Sequence, residues 1–223
     1  MTPENIVVAF SSGKDSVFTV HQLAKDKRYN IVSLITTCTD NGYVTSHHVD
    51  EKLVEKQAEA IGLPLYKIKM NGFSTENFED GLIRTMLHFK EQFGVTKIAY
   101  GDLFLEEVKK YKEELLAKHG FQLLLPLWKR DTKTLAREFV KEGYRAAIIS
   151  VDSTKLSTEA LGKTLTEEWI EQLPPGVDPC GEYGEYHTFV YDGPLFEHTV
   201  PIEFVTDKIK QIDRWEFVGI KTN

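Results

Sequence analysis

The sequence predicts an α/β protein, with a parallel doubly wound sheet followed by a smaller C-terminal α+β domain. In the first part of the 223-residue chain, short β-branched apolar runs alternate with amphipathic helical stretches. This alternation is typical of right-handed βαβ units with helices on both faces of a sheet. The apolar runs lack polar alternation, as expected of strands that are buried on both faces. After Pro174, Pro175 and Gly176 the segments are mostly strand-like, which indicates a second domain of the α+β type.

The elements of the first domain follow from apolar spacing and from turn residues. Val17, Val20 and Leu23 form one stripe at helical spacing, so a helix follows the first strand. Gly62 stands where a helix C-cap is expected. The predicted strands are 6–10, 31–37, 65–69, 97–101 and 122–125, and the predicted helices are 15–27, 48–61, 75–93 and 105–119.

The second domain is predicted to begin near Trp128, which gives domains 1–128 and 129–223. The boundary rests on the change of pattern, because the chain has no Ser/Gly-rich linker, internal repeat or low-complexity tract. The predicted helices of this domain are 132–142 and 166–172, and its predicted strands are 146–151, 186–191, 200–205 and 210–218.

The composition of the chain limits the partners and the cellular compartment that we expect. The net charge of −7 disfavours general attraction to nucleic acid, so nucleic acid is not an expected partner. Cys38 and Cys180 are too few for a disulfide framework, which favours a reducing, cytoplasmic compartment. We expect no signal peptide and no membrane span, because the sequence has neither a basic leader nor a long apolar run. Homo-oligomer formation is left open.

The turn between the first predicted strand and helix has the composition of a phosphate-binding loop. Such a turn lies at the carboxyl edge of a doubly wound sheet, where ligands bind. Small residues let the backbone approach a phosphate, and the helix N-terminus offers free N–H groups and a positive dipole. Lys14 adds a positive charge, and Asp15 would orient the loop or help to hold Mg²⁺. Helix capping by Ser and Asp is the competing interpretation. The predicted nucleotide-binding residues of the turn are Ser11, Ser12, Gly13, Lys14, Asp15 and Ser16.

Gly13 and Lys14 do not belong to a Walker loop. That loop would require Gly at position 8 and Ser or Thr at position 15, whereas the chain has Val8 and Asp15. The segment instead resembles the PP-loop ATP pyrophosphatase family, whose pattern is Ser-Gly-Gly-x-Asp-Ser, with Ser12 in place of the first glycine. The resemblance implies an adenine nucleotide α-hydrolase-like fold and cleavage of ATP between its α and β phosphates.

A second polar segment, DPCGEYGEYHTF at residues 178–189, precedes a predicted strand. Glu182 and Glu185 would bind Mg²⁺ or take a proton from an incoming ammonium, and an acidic hairpin facing solvent is the alternative. In an extended strand these two carboxylates would point to opposite faces. We therefore predict a turn at Gly184 that directs at least one of them towards the cleft that contains residues 11–16.

This second pattern, Gly-Glu-x-Gly-Glu-(Phe/Tyr)-x-Thr after a PP-loop domain, resembles the diphthine–ammonia ligase group. The segments HH at 47–48, YGD at 100–102 and LPLW at 125–128 agree, so the resemblance covers nearly the whole chain. It implies a ligase that uses ATP and Mg²⁺ to adenylate a carboxylate and replaces AMP with ammonia. His187-Thr188 is similar to the bacterial branch, since archaeal and eukaryotic members usually read Glu-Thr there. The resemblance to this branch therefore leaves the acceptor open between diphthine and another carboxylate, on a small molecule or a protein side chain.

The resemblance also distributes roles among the residues. It implies that the catalytic residues are Lys14, Asp15, Glu182 and Glu185, with Asp15 and Glu182 as candidate metal ligands. Further nucleotide contacts are expected from Thr36, Gly101 and Asp102, and acceptor contacts from His48, Gly181, His187 and Thr188.

Several of these residues have a simpler interpretation. For Asp102 a site role is favoured over the alternative of a helix cap, whereas for His48 a site role and a helix cap are equally favoured. The Cys38 thiol is interpreted as a small buried hydrophobe. The lysines of the fourth predicted helix are interpreted as a solvated face, namely Lys109, Lys110 and Lys112.

Two other functions remain open from the sequence. A sulfur-transfer enzyme acting on tRNA would use Cys38 or Cys180 as a persulfide carrier, although the chain has no Cys-x-x-Cys pair. A nonenzymatic adenine-nucleotide sensor would bind ATP or AMP and signal through the second domain.

Overall fold

Five parallel strands form the first sheet, which confirms the fold class expected from the apolar runs. The computed structural model describes residues 2–45, 47–70, 72 and 74–222, without the side chains of residues 206–208. The strands lie in the order β3-β2-β1-β4-β5. They are β1 (Glu4–Ala9), β2 (Tyr29–Thr39), β3 (Leu65–Met70), β4 (Lys97–Ala99) and β5 (Gln122–Leu124).

Helices cover both faces of this sheet. They are α1 (Lys14–Lys25), α2 (Glu51–Ile61), α3 (Thr75–Phe93) and α4 (Glu106–Lys118). Ile6 and Val8 of the central strand pack into one hydrophobic cluster with α1 and α2, whereas Val7 packs into another with α3 and α4. All three side chains are fully buried, as expected of a strand with a helix layer on each side.

The second sheet has four antiparallel strands in the order β7-β6-β9-β8. They are β6 (Arg145–Asp152), β7 (Tyr186–Asp192), β8 (Glu203–Ile212) and β9 (Trp215–Lys221), and two helices, α5 (Thr132–Lys141) and α6 (Glu167–Glu171), accompany them. This smaller sheet is the α+β part that the sequence predicts.

The last two strands lie elsewhere than predicted. The strands predicted at 200–205 and 210–218 are wrong, because the chain turns at Asp213 and Arg214, inside the second of them. Asp213 makes this turn with φ of 56°, a left-handed conformation that aspartate tolerates better than most residues.

The start of α2 also differs from the prediction. Its N-cap is Asp50, whose side chain accepts a hydrogen bond of 2.9 Å from Lys52 N. The interpretation of His48 as a helix cap is therefore wrong.

The two sheets share one hydrophobic cluster. It joins Phe10 and Val17 of the first part of the chain to Phe139, Ile148 and Phe189 of the second. The division at residues 128 and 129 remains a prediction about the chain, and the core is continuous across it. Among the described residues, no helix combines the length and the apolar character that crossing a membrane requires.

Candidate functional site

A cavity of about 580 Å³ lies at the carboxyl edge of the parallel sheet. The segments that follow β1, β2 and β4 line it on one side, and the segment before β7 lines it on the other. Its apolar lining includes Ile35, Ile68, Phe78, Leu82 and Ile98. Its polar lining includes Ser11, Asp15, Ser16, Thr36, His47, Asp102, Lys112, Glu182 and His187.

The loop between β1 and α1 presents a helix N-terminus to the cavity. The N-cap is Gly13, which has no side chain to cap the helix, so the interpretation of Ser and Asp as mere caps is wrong. The first-turn N–H groups of a helix have no acceptor within it, and Asp15 and Ser16 of that turn line the cavity. Ser16 Oγ donates to Gly13 O at 2.9 Å and accepts from Ser11 Oγ at 3.2 Å. These contacts join the loop to the first turn of α1.

Ser12, which stands at the first glycine position of the family pattern, adopts a backbone conformation that favours glycine. Its φ is 73°, in the left-handed region that costs a non-glycine residue roughly 1–2 kcal/mol. The side chain is fully buried, and its Oγ has no hydrogen-bond partner among the described residues. Ser12 and Gly13 do not line the cavity, although they belong to the same loop as Ser11.

The ammonium of Lys14 lies outside the cavity, contrary to the expectation that it contacts phosphate. The side chain is buried at the junction of the two sheets, where Nζ contacts the Cys180 carbonyl and lies 2.8 Å from Asp15 Oδ2. Burial has the largest single effect on the pKa of Lys14 and lowers it, but the neighbouring groups, Asp15 first among them, together outweigh burial, and the pKa lies above its ordinary value. Lys14 therefore joins the loop to the second sheet as a charged, paired group.

Gly184 adopts φ of 78°, so the predicted turn between Glu182 and Glu185 is confirmed. Glu182 lines the cavity, and its Oε1 accepts a hydrogen bond of 2.9 Å from Leu103 N. Burial raises the pKa of Glu182 to about 7, and the neighbouring Asp15 carboxylate adds to the effect.

Glu185, expected to be catalytic, lies away from the cavity. It is fully buried and accepts hydrogen bonds from Asp178 N at 3.2 Å and Tyr183 N at 3.0 Å. Lys155 Nζ lies 3.5 Å from its Oε1. Glu185 thus fixes the shape of the turn that carries Glu182.

Two imidazoles form part of the cavity wall. The rings of His47 and His187 have centroids 4.7 Å apart. Burial, with a smaller contribution from Lys14, lowers the pKa of His187 to about 4. Burial also lowers the pKa of His47 well below its ordinary value, and the His187 ring adds to this shift. Both rings are therefore neutral near pH 7 and add no charge to the cavity.

The structure places His47 on the cavity wall, and not the predicted His48. His48 lies outside the cavity, stacked on Tyr43 at 4.5 Å, with its Nε2 2.8 Å from Lys210 Nζ. His47 was missed as a site residue, although the sequence shows the pair. The only available signal was adjacency, because successive residues in a turn point in different directions.

The end of β4 contributes the predicted Gly101 and Asp102 and one unexpected cation. Lys112 Nζ lies 2.5 Å from Asp102 Oδ2, and its side chain is mostly buried on the cavity wall. The interpretation of Lys112 as part of a solvated face is therefore wrong. The N-cap of α4 is Leu105, so the interpretation of Asp102 as that cap is also wrong.

Of the remaining predicted residues, some line the cavity and others contact the loop from outside it. Thr36 and Gly181 line the cavity. Thr188 lies behind the loop, where its Oγ1 accepts a hydrogen bond of 3.1 Å from Lys14 N. Cys38 and Cys180 are both buried and unbridged, and burial raises the pKa of the Cys38 thiol to about 11.

The carboxylates of Asp15, Asp102 and Glu182 give the cavity wall an acidic character. In the part of the chain that the structure describes, no group of three or more His, Cys, Asp or Glu side chains could hold a metal ion by itself. Mg²⁺ in nucleotide sites commonly takes one or two carboxylates together with substrate phosphates. A metal here would therefore depend on the nucleotide for part of its ligand set.

Similarity to known proteins covers almost the entire chain. The family described as diphthamide synthase N-terminal domain matches residues 4–123, and the diphthamide synthase C-terminal domain matches residues 131–223. A Danio rerio protein named diphthine–ammonia ligase is 30% identical, over 96% of this chain and 92% of its own length. The Homo sapiens protein of the same name is 28% identical, over 89% of this chain and 82% of its own.

A solved structure has a weaker similarity. It is the U34-tRNA thiolase NcsA from Methanococcus maripaludis with its 4Fe–4S cluster, which is 17% identical with a TM-score of 0.39. The match covers 62% of this chain and 56% of the thiolase. Because the two domain matches together span most of the chain and the Danio rerio relative is similar along 96% of it, the chain belongs to the diphthine–ammonia ligase family.

Proposed function

We propose that this protein is an ATP-dependent ligase that adenylates a carboxylate and then replaces AMP with ammonia. The observation that carries the proposal is the shared cavity, in which the N-terminus of α1 and Glu182 of the second part of the chain line the same space. A carboxylate is a poor acceptor for ammonia because its leaving group would be an oxide. Adenylation gives it a good leaving group, and the site contains groups suited to each step.

The cavity lining fits an adenine nucleotide. Thr36 Oγ1 and His47 Nδ1 are buried on its wall and have no hydrogen-bond partner among the described residues. A buried polar atom without a partner is costly, so these two atoms favour a polar ligand that pairs with them. Ile35, Ile68 and Phe78 offer an apolar surface for the base. The N–H groups at the start of α1 are suited to the phosphates.

The carboxylates of Asp15 and Glu182 are the candidate ligands of Mg²⁺. The Asp15 side chain is 29% exposed and faces the cavity, which suits sharing a cation with the phosphates of a nucleotide. When bound, Mg²⁺ would neutralise charge that develops on the transferred and leaving phosphates.

In the alternative role, in which Asp15 holds Mg²⁺ without Glu182, the Glu182 carboxylate is placed to take the proton of the second step. Its Oε1 is held by Leu103 N, which leaves Oε2 to accept a proton from nitrogen as ammonia attacks the activated carbonyl. A pKa of about 7 suits a general base, because both protonation states are populated near neutral pH. Gly181 and His187 lie beside it and are the proposed contacts of the acceptor.

The acceptor is proposed as a carboxylate, and the names of the relatives make diphthine the first one to assay. Sulfur transfer is less favoured, because both cysteines are buried and the pKa of each thiol is raised, whereas a sulfur carrier requires an accessible thiolate. The two unbridged cysteines agree with the reducing cytoplasm as the compartment.

The test combines Mg-ATP binding with ATP–pyrophosphate exchange. Asp15→Asn and Ser16→Ala should weaken Mg-ATP binding in calorimetry, while the exposed turn variant Asp213→Asn should bind as the wild type does. Exchange of labelled pyrophosphate into ATP should then appear only with the correct carboxylate acceptor in a panel that includes diphthine. Folded Asp15→Asn and Ser16→Ala proteins with unchanged affinity would remove the nucleotide assignment.

A further inference from the structure

The loop between β1 and α1, residues 10–13, which we propose binds phosphate and call the phosphate loop, pairs with the edge of the second sheet. Strand β7 is the end strand of that sheet, with β6 on one side only. On its other side, Val190 N donates a hydrogen bond of 3.1 Å to Ser12 O. The backbone of the loop thus takes the place that a further strand would occupy.

The side-chain amide of Gln57 in α2 also joins the loop to β7. Its side chain is fully buried, and its Nε2 donates to Ser12 O at 3.0 Å and to Val190 O at 2.5 Å. One amide group therefore joins three elements, namely the loop, helix α2 and strand β7. The carbonyl that it shares with Val190 belongs to the residue with φ of 73°.

Thr188 holds the other end of the loop. Its Oγ1 accepts the hydrogen bond from Lys14 N at 3.1 Å, and the hydroxyl is buried. Lys14 N belongs to the first turn of α1, where the helix itself provides no acceptor. At the same place Gly13 lies so close to β7 that an added Cβ would meet Thr188 O at 3.2 Å.

We propose that Gln57 and Thr188 are positioning residues, which hold the phosphate loop in the conformation that binds nucleotide. Neither side chain lines the cavity, so neither is expected to touch the nucleotide itself. The proposal rests on the proposed function, because it assigns the loop to ATP. It follows from the strain at Ser12, since a serine leaves the left-handed region unless surrounding contacts hold it there.

The two residues are tested by paired substitutions. Thr188→Val keeps the shape of the side chain and removes the acceptor, whereas Thr188→Ser keeps the acceptor. Thr188→Val should weaken Mg-ATP binding by about fivefold to tenfold, the size of one lost hydrogen bond, and Gln57→Met, which removes two, should weaken it by at least as much. Thr188→Ser should restore the affinity. Thr85→Val, which removes another buried hydroxyl that bonds only within α3, should leave the affinity unchanged.

A second readout reports on the loop without nucleotide. The Lys14 amide should be protected from hydrogen exchange in the wild type and in Thr188→Ser, and exchange faster in Thr188→Val. Adding Ser12→Gly to Gln57→Met should recover part of the lost affinity, because glycine adopts the left-handed conformation without steric cost.

The outcomes separate the two proposals. If the wild type binds Mg-ATP and both Thr188→Val and Gln57→Met bind it equally well, the positioning roles are overturned while the proposed function stands. If the Lys14 amide is protected but the wild type binds no Mg-ATP, the proposed function falls and the positioning of a nucleotide falls with it. Weakened binding in Thr188→Val with rescue by Thr188→Ser and by Ser12→Gly supports the proposal.

Discussion

At the scale of single residues, Lys112 stands out among the groups that line the cavity. Its ammonium lies 2.5 Å from the Asp102 carboxylate and 4.0 Å from the centre of the Tyr100 ring. Since Lys14 is turned into the junction of the sheets, Lys112 is the lysine placed to meet an anionic ligand. Lys112→Met should weaken Mg-ATP binding by about tenfold, as expected for the loss of a charged hydrogen bond. Lys110→Met, on the exposed face of the same helix, is the matched control. Equal affinities of these two variants in calorimetry would contradict the assignment.

The carboxyl of Glu182 makes stability depend on pH. Burial raises its pKa from about 4.5 to about 7, so the folded protein binds more protons than the unfolded chain between these values. The contribution of this group to the free energy of unfolding therefore falls as pH rises through that window. Glu182→Gln stays neutral and should lose this slope. Urea unfolding at pH 5 and pH 8 should show that the variant gains stability relative to the wild type at the higher pH. A difference that does not change with pH would argue against the raised pKa.

At the scale of elements, the contact between the end of β4 and the start of α1 depends on Gly101. A Cβ at this position would lie 2.9 Å from the backbone C and O of Asp15 and 3.1 Å from Thr19 Oγ1. Backbone atoms cannot rotate away, so Gly101→Ala should cost about 1–3 kcal/mol of stability and move the loop. Gly219→Ala, whose added Cβ would lie 3.3 Å from Val205 Cβ, provides a milder comparison. Thermal unfolding of both variants measures the difference, and equal melting temperatures would contradict the argument.

The elements also show what the sequence could predict. The strands of the first sheet were predicted within two residues at each end, because burial on both faces leaves a clear apolar run. The hairpin of β8 and β9 was misplaced because exposed Ile209 and Ile212 extend the strand-like pattern up to an Asp-Arg turn. Such a turn lacks the Asn-Gly or Asp-Gly signal of a short hairpin.

For the site, spacing identified the segments but not the direction of each side chain. His48 has φ of 53°, and it is His47, the residue before it, that faces the cavity. Lys112 is distinguished from Lys110 by burial, since its side chain is 15% exposed and that of Lys110 is 77% exposed. Lys14 lies at the start of α1, but the direction of its side chain is set by a contact with the carbonyl of Cys180, a residue far away in sequence. These directions depend on tertiary contacts, which a pattern of residue types does not contain.

At the scale of the whole molecule, the two sheets should unfold together. One hydrophobic cluster includes Val8 of β1, Phe139 of α5 and Ile148 of β6, so neither part retains its core without the other. We expect a single calorimetric transition, with the calorimetric enthalpy equal to the van't Hoff enthalpy. Two resolved transitions would show that the parts before and after residue 128 are energetically independent.

The pairing of the loop with β7 has a consequence for self-association. An uncovered edge strand presents free N–H and C=O groups to other chains and is a starting point for aggregation. Here Ser12 O accepts a hydrogen bond from Val190 N, so the loop that we propose binds nucleotide also protects the sheet edge from another copy of the chain. A loop that loosens would expose buried side chains of β7 such as Phe189 and Val190 along with that edge. Damage to the loop would thus reduce the amount of protein that remains in solution, in addition to its affinity for ATP.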